Sequence, residues 1–185
     1  KLLLENGIEP VMQISCRDRN KIALQSDILG ANALGIKNIL CITGDSVKAG
    51  DQHDAKAVHE FESVRLLQQI QAFNRGIDPT LGELSDKKTS IFAGTAADPS
   101  CRNKRSLENR MRKKKDAGAG FIQTQMVMEK ENLIDFCEKI SNPLEIPVIA
   151  GVFLLKSYKN ALFINKYVPG ANIPEKILNR LKDAK

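Results

Sequence analysis

The sequence predicts an α/β protein built around a parallel sheet. Three observations carry this. Short apolar runs at residues 10–16, 38–43, 90–94, 121–125 and 146–151 alternate with longer amphipathic stretches. The stretches between them are long enough for the right-handed crossovers that join parallel strands. Polar residues also gather where the runs end: Gln13 and Ser15, Thr43 and Asp45, Thr95 and Asp98, then Gln123, Thr124 and Gln125.

Each element has its own justification. The first strand, 10–16, leads to an amphipathic helix over about 20–34, stopped by Gly35. The second strand, 38–43, is an apolar run that ends abruptly in Gly44 and Asp45. An acid placed there stands at the carboxyl edge of the sheet, where α/β proteins bind ligands. A loop to about residue 57 follows, long enough to suggest function or mobility. The helix over 62–72 takes its apolar positions from Val64, Leu66, Leu67 and Ile70. Gly76, Pro79 and Gly82 mark 74–88 as irregular. The third strand, 90–94, precedes a basic helix over 105–117 that ends in the Gly118-Ala-Gly120 turn. The fourth strand, 121–125, a helix over 129–140 and the fifth strand, 146–151, continue the rhythm. Helices are expected over 157–165 and 174–184, with a sixth strand near 168–173 between them. Five or six strands fit a doubly wound sheet or part of a barrel.

Composition narrows the function. The chain of 185 residues can bury a sizeable core. It contains no apolar run approaching the roughly 20 residues of a membrane span and no secretory signal. Four scattered cysteines, Cys16, Cys41, Cys101 and Cys137, form no CxxC pair, which argues against structural zinc and points to a reducing cytoplasm. Net charge is +6, from 28 basic and 22 acidic residues, with much of the excess in 102–105 and 110–115. No aromatic residues are interleaved with that cluster, so nucleic-acid binding is not expected. GxGxxG and GxxxxGK[ST] are absent, which disfavours a Rossmann dinucleotide site and a P-loop. The two histidines, His53 and His59, lie in or near the long loop, with no triad or metal spacing. Few groups suited to acid–base work remain, so a cofactor is expected to carry the reaction. Gln123 and Gln125 share a strand face, and a ligand with an amide-like edge would satisfy them.

Four segments carry a family resemblance. They are Val11-Met-Gln-Ile-Ser-Cys-Arg-Asp-Arg-Asn20, Gly35-Ile-Lys-Asn-Ile-Leu-Cys-Ile-Thr-Gly-Asp45, Asp116-Ala-Gly-Ala-Gly-Phe-Ile-Gln-Thr-Gln125, and Ala150-Gly-Val-Phe-Leu-Leu-Lys-Ser-Tyr-Lys-Asn-Ala161 with Val168-Pro-Gly170. In this order, over essentially the whole chain, they resemble methylenetetrahydrofolate reductase, with the character of the bacterial enzymes found alone or fused behind a homocysteine methyltransferase domain. The resemblance implies a (β/α)8 TIM barrel with FAD at the carboxyl ends of its strands. It begins at the family's third strand, so residues 1–185 are expected to form one barrel domain lacking the first two β/α units. The missing initiator methionine agrees with that expectation.

The implied activity is reduction of 5,10-methylenetetrahydrofolate to 5-methyltetrahydrofolate. Hydride passes from NADH or NADPH to FAD and then to folate, in one-carbon and methionine metabolism. Asp45 matches the family aspartate that stabilises the iminium cation of folate and tunes the flavin. Gln125 matches the glutamine that hydrogen-bonds the pterin. Ile164 falls where some relatives place an aromatic residue against nicotinamide or folate. Cofactor contacts are implied for Gln13, Ile42, Thr43, Gly44, Asp45, His59, Glu60, Ala96, Asp98, Arg110 and Lys114. Thr43 replaces an arginine of some members. Lys114 and Arg110 would face the FAD phosphates from the basic helix. The family's proton-donating glutamate lies on the first strand, outside these residues. General acid catalysis is typically worth about 10²–10⁴-fold, so a polypeptide limited to this stretch is expected to be weakly active or inactive. Folate is the expected partner, with a homo-oligomer or an associated methyltransferase domain, and with neither metal nor membrane. The alternatives are another phospholigand- or flavin-binding barrel enzyme, or a non-catalytic basic binding module.

Overall fold

The computed structural model describes residues 2–84, 88–168 and 170–184. After a single helical turn, α1 (Leu2–Glu5), the chain enters β1 (Val11–Ser15) and α2 (Lys21–Ala33). Asn20 caps α2 by accepting from the Ala23 N–H at 2.9 Å. The helix closes through the Ile36 N–H to Ala31 and the Gly35 N–H to Asn32, the paired bonds of a glycine stop. The same pair ends α4 (Lys104–Asp116), from Ala119 to Lys114 and from Gly118 to Lys115. Between them lie β2 (Asn38–Ile42), a 3-10 turn (Val47–Ala49), α3 (Ser63–Asn74), a hairpin of two short strands, β3 (Ile77–Asp78) and β4 (Gly82–Glu83), and β5 (Phe92–Ala97). The chain finishes with β6 (Phe121–Met126), α5 (Lys130–Phe136), a π-helical turn (Cys137–Ser141), β7 (Val148–Gly151), α6 (Tyr158–Tyr167) and α7 (Glu175–Asp183).

The five main strands pair in the order β1-β2-β5-β6-β7, all parallel. Each strand therefore lies beside its predecessor. A doubly wound sheet would reverse direction at a switch point. This order has none and is consistent with a TIM-barrel-like fold. Alternation then sorts the strand residues. Ile14, Cys16, Ile39, Cys41 and Ala93 pack against Leu24, Ile28, Leu66, Leu67, Ile70 and Phe73 in one core cluster. Ala97 and Ile122 join Leu107, Met111, Phe136 and Ile140 in a second. The opposite face carries Val11, Phe92 and Ile149, all exposed. Its floor is partly filled by Phe121, whose ring lies against Gly94 so closely that a Cβ there would overlap it.

Several expected boundaries move for identifiable reasons. The third main strand runs to Ala97 instead of stopping at Gly94, because this glycine makes room for Phe121 instead of turning the chain. The segment expected to be irregular contains the β3–β4 hairpin, whose turn is held by Asp78 accepting from the Thr80 and Leu81 N–H groups. The expected helix over 129–140 ends in the π-helical turn, where Ser141 Oγ donates to the Ile146 carbonyl at 2.7 Å. The expected sixth strand is not found among the described residues from Val168 to Ile173; Pro169 lies outside them. There Ala171 turns back onto Val168, and the Asn165 side chain takes both the N–H and the carbonyl of Ile173. Among the described residues no helix is long and apolar enough to cross a membrane.

Candidate functional site

The end of β2 builds the site. The Thr43 hydroxyl accepts from the Ser63 N–H at 3.2 Å and lies 3.3 Å from Ser63 Oγ, which ties β2 to the start of α3. Gly44 adopts φ +93°, a conformation open to glycine at little cost. A Cβ at that position would overlap the Ser15 hydroxyl and sit 2.7 Å from Arg17 Cβ. Glycine is thus required twice, for the turn and for close packing on the end of β1. Asp45 emerges from this turn. On β6, the Thr124 hydroxyl donates to the Gln125 carbonyl at 2.7 Å and accepts from the Gly151 N–H at 2.9 Å. That bridge holds a register irregularity between Gln123 and Met126, where Gln125 is exposed.

Asp45 and Gln125, carried by different strands, line one cavity of about 400 Å³. Ser15, Arg17, Ile42, Thr43, Gly44 and Ala96 share it. Its fourth side is Lys114, which reaches from α4 to the Ala96 carbonyl at 2.8 Å. Burial lowers the Lys114 ammonium to about 8, and the neighbouring Arg110 charge pushes the same way. Among the described residues no carboxylate lies within ion-pair distance of it. An ammonium has three donors, so one carbonyl leaves capacity for an anionic ligand. Cys41 also lines the cavity, but burial pushes its thiol up, which makes it a poor nucleophile. Among the described residues no group of three His, Cys, Asp or Glu side chains could hold a metal ion. The donor set is two cations, a carboxylate, a primary amide and hydroxyls. It fits a ligand that combines anionic oxygens with a polar heterocyclic edge.

Comparison with known proteins gives the chain its family. A family model described as methylenetetrahydrofolate reductase matches residues 1–185. The chain belongs to the methylenetetrahydrofolate reductase family. It is similar to a probable methylenetetrahydrofolate reductase (NADPH) of Caenorhabditis elegans, at 24% identity over 97% of this chain and 25% of the relative. It is 27% identical to methylenetetrahydrofolate reductase 2 of Schizosaccharomyces pombe over 96% of this chain and 28% of that protein. It is 26% identical to 5,10-methylenetetrahydrofolate reductase of Buchnera aphidicola over 82% of this chain and 47% of that protein. The chain thus spans about a quarter to a half of the length of these curated relatives.

Of the positions marked by the resemblance to this reductase family, Ile42, Thr43, Gly44, Asp45, Ala96, Lys114 and Gln125 meet at the cavity. The others lie elsewhere. Gln13 is exposed, two residues before Ser15 on the uncovered sheet face. His59, with φ +46°, and Glu60 belong to a strap laid across the β1–α2 loop. The Val58 N–H donates to the Arg17 carbonyl at 2.7 Å, and the Lys21 N–H donates to Glu60 Oε2 at 2.7 Å. Asp98 accepts from the Ser100 N–H and hydroxyl within its own turn. Arg110 places Nη2 3.4 Å from Cys101 Sγ and lines a separate groove along α4 with Arg105 and Lys113. Ile164 is buried in a third apolar cluster with Ala161 and Ile173. The sequence reading missed Arg17 and Ser63. Arg17 had a signal, since it is the first charge after an apolar strand, within the segment that carries the resemblance. Ser63 had none beyond its place at the start of a helix.

Proposed function

We propose that this chain forms the folate- and flavin-facing part of an enzyme that reduces 5,10-methylenetetrahydrofolate to 5-methyltetrahydrofolate, drawing hydride from NADH or NADPH by a ping-pong route. The observation that carries the proposal is the meeting of Asp45, Gln125 and Lys114 around one cavity. Bound FAD would supply the two-electron chemistry that no side chain here can perform. Lys114 would hold an anionic portion of this cofactor, since its ammonium is buried with a single carbonyl partner. Asp45 would set a fixed negative charge where positive charge develops on folate as its methylene bridge opens. The Gln125 amide offers both a donor and an acceptor to the pterin edge. Ser15, Ile42 and Ala96 would form the wall between these groups. The same reading assigns the protein to the cytoplasm, with a second copy or a methyltransferase domain as its protein partner.

The test uses the full polypeptide that carries this chain. Purified protein should be yellow with FAD and should turn over 5,10-methylenetetrahydrofolate with NADH or NADPH. Colourless protein that gains neither FAD nor turnover on reconstitution would overturn the reading.

A further inference from the structure

Of the described hydroxyl, amide and charged side chains that line the cavity, only Ser63 is buried, at 5% exposed. A buried hydroxyl needs partners for its proton as well as for its lone pairs. The Thr43 oxygen accepts from the Ser63 N–H at 3.2 Å, and the Thr43 hydroxyl donates to Ser63 Oγ at 3.3 Å. That contact uses one of the two O–H groups. With Thr43 donating, the unspent proton is on Ser63, and no acceptor for it is found among the described residues. Ser63 is also the first residue of α3, so no earlier turn of helix offers it a carbonyl.

The surroundings of this proton favour an anion. Lys114 lines the same cavity and spends one of its three donors on the Ala96 carbonyl. The first-turn N–H groups of a helix have no partners within it, and that end of the helix carries partial positive charge. Glu62, exposed just before α3, adds no side-chain cap. A carboxylate presents two oxygens, whereas a phosphate presents at least three strong acceptors. Only the latter can take an ammonium, a hydroxyl and a helix end together.

We propose that Ser63 donates its hydroxyl proton to a phosphate oxygen of the ligand, beside Lys114, and that Thr43 is the positioning residue that holds Ser63 in place for it. This deepens the reading given above and rests on it, by naming the anionic portion of the ligand as a phosphate and giving it a neutral donor as well as a cation. The bond is charge-assisted on the acceptor side, which makes it stronger than a bond between neutral groups.

The experiment measures equilibrium binding to the full polypeptide after removal of any flavin, with three probes. FAD carries ring and phosphates, riboflavin the ring without phosphate, and ADP the phosphates without the ring. Ser63→Ala should weaken FAD and ADP about 10- to 100-fold, the worth of a hydrogen bond to a charged group, and should weaken riboflavin far less. Ser63→Thr keeps the hydroxyl and should recover most of the FAD affinity. Thr43→Val removes the tether and should lose part of it, again with the phosphate-bearing probes affected most. A merely structural tie between β2 and α3 would lower all three probes alike. That result, or unchanged FAD affinity in Ser63→Ala, or a Ser63→Thr variant as weak as Ser63→Ala, would overturn the proposal while leaving the reductase reading intact. If riboflavin and ADP bind too weakly to titrate, the FAD loss in Ser63→Ala and its recovery in Ser63→Thr decide alone. A wild-type protein that takes up no FAD would end both.

Discussion

The two faces of the sheet are made from the same strands and do opposite work. Ile14, Ile39, Cys41, Ala93 and Ile122 point to the helices and are almost wholly removed from water, while Val11, Phe92 and Ile149 on the other face stay exposed. Burying a large apolar side chain contributes roughly 1.5–3 kcal/mol, so the helix-covered face holds the fold together. The polar groups that could bind a ligand stand where the strands end, with Asp45 after β2, Gln125 on β6 and Lys114 reaching in from α4. Stability and chemistry are thus separated mainly along the strands, with the core under the helices and the ligand groups at the carboxyl ends. Substitutions in the two regions should separate the same way.

The largest effect should come from the covered face. Phe73 is fully buried in the first cluster. Phe73→Ala should cost about 3–5 kcal/mol of stability, read as a drop in the denaturant midpoint. The rim should respond inversely. Asp45→Asn should leave that midpoint within about 0.5 kcal/mol and slow the folate half-reaction about 10²–10³-fold, the scale expected for loss of one electrostatic stabiliser. A fall in both half-reactions alike, or a large loss of stability, would break the separation.

Gly44 sits where the two roles meet. Gly44→Ala would force a side chain into the left-handed region and against Ser15 and Arg17. We expect a loss of about 1–3 kcal/mol together with reduced flavin content. If flavin content is retained at full stability, the turn has more slack than its packing indicates.

How far the sequence could be read follows from the same division. The covered face was legible because apolar periodicity and helix stops are local signals. Val64, Leu66, Leu67 and Ile70 marked α3, and Gly35 and Gly118 marked the ends of α2 and α4. The Gly44–Asp45 turn was legible because it interrupts an apolar run. Gly94 misled, since its reason is the Phe121 ring on the next strand, and sequence spacing carries no record of that contact. The 168–173 segment misled because Asn165 satisfies Ile173 through a side chain, an alternative to strand pairing that no apolar pattern announces. The family resemblance, not periodicity, supplied Lys114, whereas strand alternation had already singled out Gln125. Arg17 was missed because a charge after a strand usually belongs to a solvated loop; only the packing of Gly44 against it turns it toward the cavity.

Lys114 sharpens the comparison through pH. Its folded-state value of about 8 lies below the ordinary lysine value of 10.5. Between those values the unfolded chain binds more protons than the folded one, so stability should rise as pH increases from 8 toward 10.5 and be lowest below 8. Measured at pH 7 and pH 9.5, this contribution should amount to about 1–2 kcal/mol and vanish in Lys114→Met. Binding of an anionic ligand should change in the opposite direction, weakening as pH rises through 8 in the wild type and becoming flat in the variant. If stability and affinity rise together with pH, Lys114 is not the anion-holding group.

The smallest effect belongs to the outer surface of α4, which supplies the control. Arg112 pairs with Glu108 one turn away at 3.0 Å, and both side chains are largely in water. Such a pair is screened and must hold two long side chains in place, which leaves about 0.2–0.5 kcal/mol. Arg112→Ala should therefore move neither the midpoint nor FAD content measurably, although it removes a positive charge from the most basic helix of the chain. Loss of flavin in this variant would mean that the charge of α4 acts as a diffuse field on the cofactor. Retained flavin in Arg112→Ala, set beside flavin loss in Lys114→Met, would assign the effect to the one lysine that reaches the cavity.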